Sequence, residues 1–362
     1  MKKVLLVTLF DEKNIGNRLQ NYALQNIIED YGISVTTLDN YYTSKTSFVE
    51  RTKYAIKQVL VCLGYKKYSN DCKKYRRSKQ LMVIAKKFNK DNITNIKQIS
   101  NLDAFSENWS DYDLAVAGSD QIWHKWRCDE NELPFYYLQF MPKEKRVAYA
   151  ASFGFEAFPE KDIAQHRIGI EEMRYISCRE ESGCQLIKEL TGRQVPRVLD
   201  PTLLLSADRW RKIEALANED SKCQKNYAFV YFLGNISDEY RAYIDRTVRE
   251  LGIDRLIYFG DGQTACGPCE FLSLIDNARF VFTDSFHCTV FSTVFDKKFT
   301  VFRRIEPRFE KMFGRIEDLL SSTDKLEHIY GGTTLKPVNN YDELRNVSIK
   351  YLEMVLNIKN EN

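Results

Sequence analysis

The chain has 362 residues, more than the roughly 250 to 300 at which a single core stops growing, so two domains are expected. Hydrophobic residues make up 44% and charged ones 28%, which excludes a chain too polar to fold. No apolar stretch approaches the roughly 18 residues of a membrane span. Net charge is only +3 but uneven: residues 51–100 hold 14 Lys or Arg against 2 acids, a net +12, so the remainder carries −9.

Met1-Lys-Lys ahead of Val4 to Phe10 imitates the start of an export signal. Asp11, Glu12 and Lys13 cut that apolar run short, however, and no small-residue cleavage site follows. The run is expected to be a first buried strand, and the protein to be cytoplasmic, at most peripheral at the inner membrane face. Leu19, Tyr22, Ala23 and Ile27 follow at helical spacing. Between strand and helix lies Asn14-Ile-Gly-Asn17, a turn in which Gly16 permits close backbone approach and Asn17 can cap the helix. It lacks a dinucleotide fingerprint. Further strands are expected at Ser34 to Leu38, Leu114 to Ala117, Val147 to Ala151 and Tyr175 to Ser177, with helices between several of them.

The basic stretch, inserted at about residues 41–100, shows apolar Tyr54, Val59, Leu60 and Leu63, then Lys66 to Lys79, then Leu81 to Phe88. That pattern suggests a helical insertion. Its charge is either a solvated face or a contact for anionic lipid headgroups or a diphosphate-bearing acceptor. No RNA-recognition motif accompanies it, so nucleic acid is not an expected partner.

After Asp200-Pro-Thr-Leu-Leu-Leu205 the pattern restarts, with strands at Tyr227 to Leu233, Arg255 to Phe259, Phe280 to Thr283 and Phe299 to Phe302. Helices are expected at Asp238 to Leu251, Glu270 to Asn277 and Thr289 to Phe295. Strands alternating with helices imply parallel sheets covered on both faces. The expected architecture is therefore α/β, with an N-terminal domain over 1–200, a C-terminal domain over 201–335 and a helical tail over 336–362. Two facing domains of this kind leave a cleft at the carboxyl ends of their strands.

Nine cysteines at irregular spacing argue against a disulfide framework. Cys266-Gly-Pro-Cys269 has the spacing of a redox pair, but a turn into the helix beginning at Glu270 is the stronger reading. With no matching second pair, zinc is not expected. His287 is the leading candidate for chemistry, because it follows a short apolar strand at the mouth of a helix that Asp284 and Ser285 can cap, a place where anions settle. His124, His166 and His328 have no such context. Asp120 and Gln121 lie just past another strand and either hydrogen-bond a ligand's hydroxyls or cap a helix, and Trp123 and Trp126 either stack on a sugar or fill the core.

Ala117-Gly-Ser-Asp-Gln-Ile-Trp123, Tyr149-Ala-Ala-Ser-Phe-Gly154, Ser177-Cys-Arg-Glu-Glu-Ser182, Asp200-Pro-Thr-Leu and Thr283-Asp-Ser-Phe-His287 together resemble the polysaccharide pyruvyl transferase family. The resemblance runs from Asn14 to Phe302 and omits the basic insertion. It implies two Rossmann-like domains in a glycosyltransferase-B-like arrangement, and transfer of a pyruvyl group from phosphoenolpyruvate to a sugar hydroxyl pair as a ketal. The work is that of surface polysaccharide assembly, on a lipid-linked or nucleotide-linked sugar acceptor and with no cofactor or metal. On this reading His287 is the general acid that protonates the enol methylene. Arg179 is either the donor's anion clamp or the cation of a structural ion pair with Glu180 or Glu181, and Gly16, Asn17, Asp120 and Gln121 face the acceptor. Some members carry arginine where this chain has Ser285. Arg303, Arg304 or Arg308 is then expected to supply the missing charge beside Ser285. The rival with the same fold is a nucleotide-sugar-dependent glycosyltransferase, and a non-catalytic carbohydrate-binding relative is a third class.

Overall fold

Among the described residues, two all-parallel sheets carry the fold. The computed structural model describes residues 1–11, 14–40, 46–65, 68–99, 104–126, 129–219, 226–259, 267–306 and 313–357, with backbone only for 46–51, 69–71 and 73–79. In chain order the first half contains β1 (Lys3–Val7), α1 (Ile15–Asp30), β2 (Ser34–Asp39), α2 (Thr46–Cys62), α3 (Ser69–Asn92), β3 (Ile96–Gln98) and β4 (Leu114–Ala117). It continues through α4 (Glu132–Tyr136), β5 (Arg146–Ala151), α5 (Ile163–Glu172), β6 (Tyr175–Cys178), α6 (Glu181–Thr191) and α7 (Ala207–Glu214). Then come β7 (Tyr227–Tyr231), α8 (Asp238–Glu250), β8 (Arg255–Tyr258), α9 (Pro268–Asp276), β9 (Phe280–Thr283), α10 (Phe286–Val294), β10 (Phe299–Val301), α11 (Gly314–Ser322) and α12 (Tyr341–Val355).

The six-stranded sheet has the order β3-β2-β1-β4-β5-β6 and the four-stranded sheet the order β10-β9-β7-β8. Val4 to Val7 are completely buried, as a strand covered on both faces requires. In the first sheet the order reverses between β1 and β4, which pair in parallel from Val4 with Leu114 to Val7 with Ala117. In the second it reverses between β7 and β9. Ligands of open α/β sheets settle beyond the carboxyl ends of strands at such reversals, and here the two reversals face one another across the cleft.

Residue 200 falls between the sheets, and the chain then returns. In α12 the Ser348 hydroxyl accepts from the Leu199 N–H, and the Tyr351 hydroxyl donates to the carbonyl of Ala148 in β5. Just beyond it, the Leu356 carbonyl accepts from Lys2 Nζ. One apolar cluster accordingly runs from Leu6 and Val116 through Trp210 to Phe229, Val281 and Leu352.

Three local differences from the sequence expectations stand out. The first strand ends at Val7, not Phe10, so Leu9 and Phe10 are released into the cleft wall. The edge strand β3 pairs with β2 through only Ile96 to Gln98, three residues with no alternation to reveal them. α10 starts at Phe286 and not Thr289, because Ser285 is its N-cap and accepts from the Cys288 N–H at 3.5 Å. Among the described residues no helix is long and apolar enough to cross a membrane.

Candidate functional site

A cavity of about 600 Å³ opens between the sheets. His287 reaches it from the first turn of α10, and Gly16 from the first turn of α1 on the facing half. The fit is close: a methyl group built on Gly16 would lie 2.1 Å from His287 Nδ1. Gly16 is thus required by the approach of an imidazole 271 positions later in the chain. His287 Nε2 is buried with no hydrogen-bond partner. Burial lowers the pKa of this histidine, against the opposing pull of the Asp200 and Asp120 carboxylates, so the ring is neutral at neutral pH.

Behind the histidine lies a layer of ion pairs. Arg179, at the end of β6, donates through Nη1 to Asp200 Oδ2 (2.8 Å), through Nε to Glu180 Oε1 (3.0 Å) and through Nη2 to Asp120 Oδ1 (3.4 Å). Asp200 also accepts from Ser119 Oγ and from the N–H and hydroxyl of Thr202. Burial alone would raise the Asp200 pKa, but Arg179 and these donors hold it down to about 2. Asp120, on a backbone with φ of +76°, is likewise held low by Arg179 against its burial. Its second oxygen accepts from Asn17 Nδ2.

Of the two readings of Arg179, the donor clamp is thereby corrected and the ion pair with Glu180 is what the structure shows. Its guanidinium is buried, does not line the cleft and is occupied by three carboxylates. Arg303 is also corrected: it donates to Glu317 Oε1 at 2.6 Å and to the Gly332 carbonyl, away from the cavity. Arg304 and Ser285 do line the cavity, Arg304 with its Nε 3.4 Å from Asp284 Oδ2. Arg308 lies outside the described residues.

Gly16, Asn17, Asp120 and Gln121 all line the same cavity. Asn17 and Asp120 are bonded to each other, whereas Gln121 Nε2 is buried without a partner. Gln121 has room because Gly154, at φ +69°, carries no side chain: a Cβ there would sit 2.3 Å from that nitrogen. Trp123 is core, stacked on Tyr137 at 4.9 Å. Trp126 is 52% exposed, lines the cavity and donates its indole N–H to the Gln121 carbonyl.

Sequence reasoning missed Arg315, the second residue of α11, which lines the cavity and whose Nε is buried with no partner. No signal in the sequence marked it, since Gly314-Arg-Ile reads as the start of an ordinary amphipathic helix.

Cys269 opens α9 and burial pushes its thiol up to about 12, which makes it a poor nucleophile; Cys266 lies outside the described residues. No group of three His, Cys, Asp or Glu among the described residues could hold a metal ion. Among the groups that line the cavity are the His287 imidazole, the Arg304 and Arg315 guanidiniums and the Gln121 amide, which together can bind an anion and move a proton.

The family model described as polysaccharide pyruvyl transferase matches residues 14–305. No curated protein matches the chain. Among solved structures, a candidate UDP-N-acetylglucosamine 2-epimerase from Listeria monocytogenes is similar at 9% identity and TM-score 0.50, over 100% of this chain and 98% of that one. MnaA of S. aureus bound to UDP gives 11%, 0.48, 100% and 99%. A UDP-N-acetylglucosamine 2-epimerase from Rickettsia bellii gives 13%, 0.44, 99% and 97%. At these identities the likeness to the Listeria structure shows the fold, two Rossmann-like halves of the glycosyltransferase-B type.

Proposed function

The chain belongs to the polysaccharide pyruvyl transferase family, and on that premise we propose that it moves a pyruvyl group from phosphoenolpyruvate to a hydroxyl pair of a sugar, forming a ketal. The observation that carries this reading is His287 Nε2, buried and unpartnered where both sheets' strand reversals meet a cleft that Arg304 and Arg315 also line.

The chemistry follows from that placement. His287 in its protonated form gives a proton to the C3 methylene of the enol, and positive charge develops at C2. A sugar hydroxyl adds to C2, and the now neutral imidazole takes up that hydroxyl's proton. The C2–O bond to phosphate then breaks, phosphate leaves with the electron pair, and the second hydroxyl adds to C2 and closes the ketal as its proton passes to the released phosphate. Because burial disfavours the imidazolium, the donor's negative charge beside the ring favours the protonated form for the first step. Arg304 and the N-terminus of α10 supply positive potential for the donor. On the facing wall, Gln121 Nε2 donates to an acceptor hydroxyl and Trp126 offers an apolar ring face to the sugar.

Incubation with phosphoenolpyruvate and candidate lipid-linked or nucleotide-linked sugars should give a mass gain of one pyruvyl unit together with free phosphate. Release of a nucleotide from a sugar donor, with phosphoenolpyruvate untouched, would replace this reading by the glycosyltransferase.

The acceptor is proposed to be met at the cytoplasmic membrane face. Ile56 and Val59 in α2 and Leu63 just past its end are exposed at helical spacing, in the segment that carries the net +12, a combination suited to anionic lipid surfaces. Sedimentation with anionic vesicles should capture the protein, and substituting serine at these three positions should release it. Equal capture of the triple variant would sink the membrane contact.

A further inference from the structure

We propose that Arg315 is the anion seat of the cleft, holding the carboxylate or the phosphate of the donor, and that it supplies in space the charge absent at Ser285. The naming of the donor rests on the function proposed above; the need for an anion does not.

A guanidinium offers five N–H donors and stays charged in proteins. Among the described residues Arg315 makes no ion pair and no hydrogen bond, and its Nε is sealed from solvent. Its surroundings make this more unfavourable, because Arg179 and Arg304 act on it with the same sign. Burial and that repulsion bring its pKa down to about 10, against the opposing pull of Asp120 and Glu180. What the protein itself offers is an aromatic face, with Phe286 5.4 Å from the guanidinium carbon. An ionised side chain that is sealed at one nitrogen, repelled by its neighbours and placed on a cavity wall lacks a counter-charge, and the cavity is where one can enter.

The position suits the donor. Phe286 and His287 are consecutive in α10, so the ring under Arg315 and the proposed acid move together. An oxyanion paired with Arg315 would lie in the cavity that His287, Ser285 and Arg304 also line. Arg304 shares that wall but has Asp284 beside it. Arg315 therefore gives the anion a bidentate partner, and the imidazole beside it is left to act on the enol.

The test uses the full chain and three anions: phosphoenolpyruvate, inorganic phosphate and pyruvate. Wild type should bind phosphoenolpyruvate in calorimetry and show a higher Tm with it. Whichever of phosphate and pyruvate also raises Tm identifies which end of the donor Arg315 holds. Arg315→Met should leave the ligand-free Tm equal or higher, since an unpaired charge has gone, while Kd for phosphoenolpyruvate weakens by roughly 10- to 100-fold, the scale of a charged hydrogen bond. Arg315→Lys should recover part of that loss. Wild-type affinity in Arg315→Met overturns the seat, as does a wild-type protein unmoved by all three anions. A ligand-free Tm well below wild type in Arg315→Met also overturns it, by showing a structural role. If phosphate or pyruvate protects wild type but not Arg315→Met, and phosphoenolpyruvate binds no better than these, the seat stands and the donor assignment falls.

Discussion

Arg179 and Arg315 both lie over the ring of Phe286, at 4.4 and 5.4 Å from its centre, yet they live in opposite circumstances. Arg179 is surrounded by Asp120, Glu180 and Asp200, and its pKa is raised, with those carboxylates outweighing burial. Arg315 faces the cavity with no carboxylate in ion-pair or hydrogen-bond contact among the described residues, and its pKa is lowered because burial and Arg179 outweigh the pull of Asp120 and Glu180. In one layer a cation neutralises three buried acids and fixes the ends of β6 and the loops after β4. In the next, a cation is held ready with no carboxylate paired directly to it. A buried charge is costly to strip of its partner and cheap to remove when it has none. Residue type alone therefore says little about role, and the partners decide it.

The largest effect should come at the front of the site. His287→Gln should lower transfer by roughly 10² to 10⁴, the range of a lost general acid, with Tm unchanged; wild-type turnover would remove His287 from the chemistry. The rear layer should answer in stability. Arg179→Ala leaves three carboxylates buried together and should cost about 3–5 kcal/mol, read as a fall in the urea midpoint, and an unshifted midpoint would mean that the layer is not what holds these loops. Gly16→Ala joins the two layers by pushing on His287. It should cost about 1–3 kcal/mol by overpacking and reduce activity by up to roughly 10²-fold through misplacement of the ring. Full activity would show that the imidazole has room to move.

The pH response should separate the two layers most gently. Asp200 has a folded pKa of about 2, below its unfolded value. Its contribution is complete above roughly pH 4 and is lost as pH falls through 2. His287 runs the other way for function: its folded pKa lies below 6.5, so kcat/KM, which reports the free enzyme's acid, should fall as pH rises from 6 to 8. A flat profile across that range would exclude it as the proton donor.

Much of this site was legible in order but not in depth. The strand-end segments carrying Gly16, Asp120, Gly154, Arg179, Asp200 and His287 do converge, because parallel strands deliver their carboxyl ends to one edge. What the sequence could not show is which member stands at the surface of the cleft and which behind it. Asp200 and Asp120 are as polar as Gln121, but they spend their oxygens on Arg179, Thr202 and Asn17. Arg315 escaped because a lack of partners has no linear signature. The insertion's helices were readable from their apolar spacing, whereas β3 exists only because β2 offers it an edge.

The apolar cluster shared by both halves has a consequence for how the molecule comes apart. Since Leu6, Phe229 and Leu352 belong to one continuous mass and α12 closes over the N-terminal half after the C-terminal sheet is complete, melting of one half should expose the apolar surface it shares with the other. Heating should therefore disturb the binding site and the scaffold together, and losing the last helix would be felt first beneath β5, where the Tyr351 hydroxyl meets the Ala148 carbonyl 203 residues back along the chain.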